Sequence, residues 1–148
     1  MESKDLKAEI DMLLRPLGFK RRNNCWIQET SQLYKIINLQ RSYYSNSYYI
    51  NYGFNIRGLD MTDDFMHVFL RLGSPDEDER KQIRRMLDLD SSLSDSERNR
   101  YLRYFVETYI LSLFLKVETE TELKSFLLTR RNNNDVSLKV KKYFSMED

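Results

Sequence analysis

A single cysteine, Cys25, rules out any intrachain disulfide, and a single histidine, His67, leaves zinc chemistry short of ligands. Zinc sites draw three or four donors from His and Cys, which this chain could supply only by adding carboxylates. A Cys–His dyad needs both side chains within hydrogen-bond reach, and nothing in the spacing brings Cys25 to His67; the histidine is expected on an outward strand face. Glycine and proline are scarce, at four and two residues. There is no Gly-rich phosphate loop, no Gly-x-Ser-x-Gly elbow and no flexible linker dividing the chain. The most apolar run, residues 109–115, is far shorter than the roughly 20 residues a spanning helix needs, and Arg103, Glu107 and Lys116 flank it. A buried helix is expected there, not a membrane anchor. The N-terminus mixes charges where a secretory signal would run from basic to apolar. Neither sign of charge dominates: 24 Lys and Arg against 23 Asp and Glu give a net charge of +1. That balance argues against a chain that binds nucleic acid through bulk charge. No catalytic residue, metal ligand or cofactor is assigned, and a cytoplasmic location is expected.

What is present is a chain of 148 residues patterned for one α+β domain. Leu6, Ile10, Leu13 and Leu14 form one apolar stripe over residues 3–14, with Ser3 placed to cap the helix and Pro16 and Gly18 to end it. Residues 25–29 read as a strand. Over residues 33–40, Leu33, Lys35, Ile37 and Leu39 share one face, while Tyr34, Ile36, Asn38 and Gln40 share the other. Over residues 48–57, Tyr48, Ile50, Tyr52, Phe54 and Ile56 alternate with Tyr49, Asn51, Gly53, Asn55 and Arg57. A fourth strand is expected at residues 65–72. Helices follow: one from a Ser74-Pro75-Asp76-Glu77 start, one from a Ser94 capping box to about residue 116, one from Thr119, and a last short one over residues 136–144 that Asp135 would cap. A helix, then consecutive strands, then helices implies an antiparallel sheet of about four strands with helices on one face.

Three stretches carry a resemblance: LRPLGFKR at residues 14–21, IINLQRS at 36–42 and YINYGF at 49–54. They resemble a bacterial domain-of-unknown-function family, number 4304. In that family a PLGFK turn follows the first helix and an NLQ strand pairs with an IN-G strand. The likeness covers about the first 70 residues; residues 109–128 resemble the family's helix pair, with Leu113-Phe114 where a Pro-aromatic pair is usual. The resemblance implies no catalytic residues. Because some members stand beside toxin genes, it implies immunity-type roles for part of the family.

If the strands at 33–40 and 48–57 zip as a hairpin, Asn38 faces Asn51, Gln40 faces Tyr49 and Ile36 faces Gly53. The outward face then carries Tyr34, Asn38, Gln40, Tyr49, Asn51, Asn55 and Arg57, rich in amide donors and acceptors. The connection adds Arg41, Tyr43, Tyr44 and Tyr48. Tyr and Arg dominate protein-binding hot spots because a ring buries much area at low entropy cost. A protein partner is therefore the leading expectation. Nucleic acid is the alternative, with loop tyrosines stacking bases and Arg41, Arg57 and Arg71 meeting phosphates. A third reading gives Asp60, Asp63 and Asp64 to a hard cation, as a carboxylate-dependent metal enzyme. Pairs such as Arg84-Arg85 read as solvated helix faces.

Overall fold

A computed structural model describes residues 1–60 and 65–146. Five strands form one antiparallel sheet in the order of the chain: β1 (Lys20–Arg22), β2 (Cys25–Glu29), β3 (Leu33–Arg41), β4 (Tyr48–Ile56) and β5 (Val68–Arg71). The fold is thus α+β, with one strand more than the pattern suggested. That extra strand, β1, has all three residues exposed and so shows no hydrophobic alternation to read. It exists because Asn23 takes a positive φ of 56° and turns the chain back, pairing Arg22 with Cys25.

Helix α1 (Ser3–Leu14) precedes the sheet and buries Leu6, Ile10 and Leu14. Its first turn is closed by Glu2, whose N–H donates to Asp5 Oδ2 at 2.9 Å, so the cap lies one residue before Ser3. Gly18 ends the following 3-10 turn with φ of 91°, a left-handed conformation that glycine adopts without cost. After the sheet come α2 (Glu77–Leu87), α3 (Asp95–Phe105), a π-helical segment (Val106–Leu111), α4 (Ser112–Lys116), α5 (Glu120–Thr129) and α6 (Leu138–Tyr143).

The core lies between the sheet and these helices. Trp26, Ile37, Leu39, Ile50 and Phe54 from one face of the sheet join Leu102, Phe105, Ile110 and Phe114 from the α3–α4 stretch. Phe114 meets Phe54 edge-on with ring centroids 5.3 Å apart. Lys35 shares that core face, and its buried Nζ donates to the Phe114 carbonyl at 2.5 Å and pairs with Glu118 at 2.5 Å. A cation at the C-terminal end of a helix supplies the donor that the last carbonyls lack.

Two more helix starts diverge from the sequence reading. Asp76, not Ser74, caps α2 by accepting the Glu79 N–H at 2.9 Å; the Ser74 hydroxyl donates instead to the Glu79 carboxylate at 2.8 Å. At α6 the cap is Ser137, while Asp135 is drawn into an ion pair with Arg130 at 2.8 Å.

Candidate functional site

Strands β3 and β4 pair in the expected register: Asn38 opposite Asn51, Gln40 opposite Tyr49, Ile36 opposite Gly53 and Ile37 opposite Tyr52. Successive strand side chains alternate between faces, so this register puts all the amides on the face away from the core. Asn51 is the centre of that face. Its Nδ2 donates to Asn38 Oδ1 at 3.1 Å and to Gln40 Oε1 at 2.8 Å. Its Oδ1 accepts from Arg71 Nε at 2.9 Å, and Arg71 Nη2 reaches Gln40 Oε1 at 3.0 Å. The Arg71 guanidinium then lies over the Tyr49 ring, 4.1 Å from its centroid, a cation–π contact. At the other end Asn38 Nδ2 contacts the Asn24 carbonyl and Cys25 Sγ, each at 3.4 Å. The result is a continuous polar strip across four strands. Asn51 is only 1% exposed, so it positions its neighbours and does not itself offer a contact. Asn38 and Gln40 are half-buried, and Tyr49, at 38%, is open to a ligand.

The hairpin beyond the strip carries the most exposed rings of the described residues: Tyr43 at 94% and Tyr44 at 97%. Its base is nonetheless fixed. Ser42 N–H donates to the Ser47 carbonyl at 2.8 Å, and Leu89 N–H donates to the Asn46 carbonyl at 3.0 Å. Asn46 Nδ2 adds a bond to Asp90 at 3.1 Å, and Ser47 bridges to Asp88. The loop is therefore tied to the α2–α3 connection while its two rings project. Arg41 is exposed at its root. Tyr48 does not belong with the others. It is 5% exposed and part of the core, as strand alternation requires of a residue two before Ile50.

The far end of the outer face is built differently. Tyr34 lies half-buried under the Arg57 guanidinium, 5.0 Å from the ring centroid, and Arg57 pairs with Glu29 at 3.3 Å. A cleft of about 860 Å³ beside them is lined by Lys20, Ile27, Tyr34, Ile36 and Asn55 among others. The Asn55 carbonyl oxygen of the side chain accepts the His67 N–H at 2.8 Å, so Asn55 also serves the connection to β5. His67 is not an outward surface residue. It is buried, its Nδ1 accepts the Ile56 N–H at 2.8 Å and its Nε2 lies 3.0 Å from the Asp60 carbonyl. The chain joins the sheet only at Val68, so His67 closes the loop where a strand had been expected. Asp60 is exposed, and Asp63 and Asp64 lie outside the described residues. Among the described residues no group of three His, Cys, Asp or Glu side chains is arranged to hold a metal ion. Likewise, no helix there is long and apolar enough to cross a membrane.

A family model described as a domain of unknown function, DUF4304, matches residues 10–116. The chain belongs to this family. The DUF4304 match takes in the whole sheet, the tyrosine hairpin and the helices through α4, and ends before α5 and α6. Within the DUF4304 segment, the PLGFK turn is the left-handed Gly18 turn, and the NLQ and IN-G strands are the β3–β4 pair that carries the amides. No curated protein and no solved structure matches the chain.

Three arginines at this end of the sheet take roles that the sequence reading did not give them. Arg71 holds the strip together but had been considered only as a phosphate contact. Arg80 and Arg84 on α2 line a cleft with Tyr49 and Arg71. Their signal was present in the spacing, since residues four apart share a helix face, but which face turned toward the hairpin depended on tertiary packing.

Proposed function

We propose that the chain is a non-enzymatic protein-binding module whose hot spot is the Tyr43–Tyr44 tip with the adjoining Gln40, Tyr49 and Arg71. The observation that carries this is the pairing of two almost fully exposed rings with a loop base held by backbone bonds on both sides. Exposed rings on a fixed base lose little conformational freedom on binding, which is the property that makes tyrosine effective in paratopes. The ordered strip behind them offers polar contacts already oriented by their own hydrogen bonds.

In its finer form, the proposal is an immunity-type inhibitor of a bacterial toxin or effector, working in the cytoplasm. Support for that form is the family resemblance, which implies immunity-type roles for part of the family.

The test is co-purification of the tagged chain from its own cells, repeated with Tyr44→Ala and Tyr49→Ala. Recovery of a stoichiometric protein partner that is lost in both variants is expected. Absence of any partner, or a partner retained by both variants, would overturn the reading. A salt-dependent shift of single-stranded oligonucleotide would instead favour base stacking on the same rings.

A further inference from the structure

At the end of the sheet, between the tyrosine hairpin and α2, lies a cleft of about 500 Å³. Its floor is apolar: Tyr48, Leu72, Ile83 and Leu87 line it and are all buried. Its rim carries Arg71, Arg80 and Arg84 with Tyr49. Among the described residues the only acidic one lining it is Asp88, whose Oδ1 accepts the Asp90 N–H at 3.0 Å. The chain has 23 acidic residues, yet among the described residues no carboxylate forms an ion pair with any of the three arginines. Arg71 bonds two side-chain amides, and Arg80 bonds the Ser74 and Pro75 carbonyls at 3.3 and 2.9 Å, all neutral acceptors. Among the described residues Arg84 has no side-chain partner.

Three guanidinium groups against the single carboxylate of Asp88 leave the cleft net positive, which favours an incoming anion. Three arginines elsewhere, Arg15, Arg57 and Arg130, each hold a carboxylate. Guanidinium is also the group best matched to carboxylate, through two parallel N–H donors. The apolar floor asks for aliphatic side chains between the anions.

We infer that this cleft receives an acidic, aliphatic segment of a protein partner, with carboxylates on Arg71, Arg80 and Arg84 and an apolar side chain on Ile83 and Leu87. The inference rests on the protein-binding reading and names its partner's chemistry. Tyr49 and Arg71 belong both to the cleft and to the polar strip, so one partner can cover both.

The probe is a fluorescent peptide alternating Glu and Leu, followed by anisotropy against the full chain, with a Lys-Leu peptide and oligo-dT as comparisons. Saturable binding of the Glu-Leu peptide is expected, weakened by added salt and by roughly tenfold or more in an Arg80→Gln/Arg84→Gln variant. Arg84→Glu alone should act in the same direction; among the described residues its side chain bonds nothing, so it keeps the test interpretable should Arg80→Gln loosen the start of α2. Lack of Glu-Leu binding, equal binding of the Lys-Leu peptide, or affinity indifferent to both variants overturns the inference, and tighter binding of oligo-dT replaces it with a nucleic-acid cleft. Failure of the peptide assay therefore removes the cleft while leaving the tyrosine tip to stand or fall on the co-purification test.

Discussion

Asn51 satisfies three side chains with one amide, using both of its N–H donors and one acceptor site of its oxygen. Removing it strands buried polar groups and releases Arg71 from the sheet. Asn51→Ala is expected to destabilise the fold by about 2 kcal/mol in urea unfolding, and Asn51→Asp, which cannot donate to Asn38 and Gln40, should not restore it. Two residues along β4, Gly53 has a separate constraint. A Cβ there would stand 1.8 Å from the Val68 carbonyl oxygen, which is backbone and cannot step aside. Gly53→Ala should therefore cost about 3 kcal/mol, visible as a lowered thermal midpoint with the β4–β5 amides losing hydrogen-exchange protection first. The sequence showed a glycine in an alternating strand, the usual mark of close backbone approach, but not which chain comes close. The Asn38–Asn51 pairing was legible for a simpler reason: a one-residue slip would turn Ile37 and Phe54 outward.

Helix α2 is held at both ends by side chains from the stretch that follows it. At its C-terminus, the buried Arg98 of α3 donates to the carbonyls of Arg85, Met86, Asp88 and Leu93, taking up acceptors that the helix itself cannot satisfy. Burial pushes the Arg98 guanidinium below its ordinary range, with the carboxylates of Asp95 and Asp88 partly opposing this. Arg98→Met should cost about 3 kcal/mol by equilibrium unfolding, because those carbonyls stay buried without donors. Nothing in the sequence marks Arg98, since its partners are backbone carbonyls and an arginine in a capping-box helix reads as a solvated face. At the N-terminus of α2, Glu79 accepts from the hydroxyls of Tyr109, Ser74 and Tyr104. These bonds, Tyr109 first, hold the Glu79 carboxyl below the usual carboxylate range, and Glu79 in turn raises the Tyr109 phenol. A depressed carboxylate stabilises the fold above its unfolded-state value and loses that contribution as pH falls through the lower folded value. Acid should therefore loosen α2, and Glu79→Gln should flatten the acid limb of the melting-temperature profile. The contact is made from the π-helical segment, which sets Tyr109 against α2; only the long apolar stripe around it could be read in advance.

Across the whole molecule, each strand pairs with its neighbour in sequence, while the helices close over one side. That order was readable because alternating and helical periods occupy separate parts of the chain. The family match ends at residue 116, but the core does not: Leu123, Leu127, Val140 and Phe144 are buried in it. Thr30 also donates to the Glu118 carbonyl at 2.8 Å, joining the β2–β3 turn to the start of the last helices. A chain truncated after Lys116 should lack a sharp thermal unfolding transition and should expose apolar surface to a dye such as ANS.

The sheet ends on one side in the short strand Lys20–Arg22. Two copies approaching there would bring cationic rows together before any backbone pairing could begin. The chain can thus display sticky phenolic rings at one end of its sheet while its basic border resists the strand-on-strand stacking from which fibrils grow.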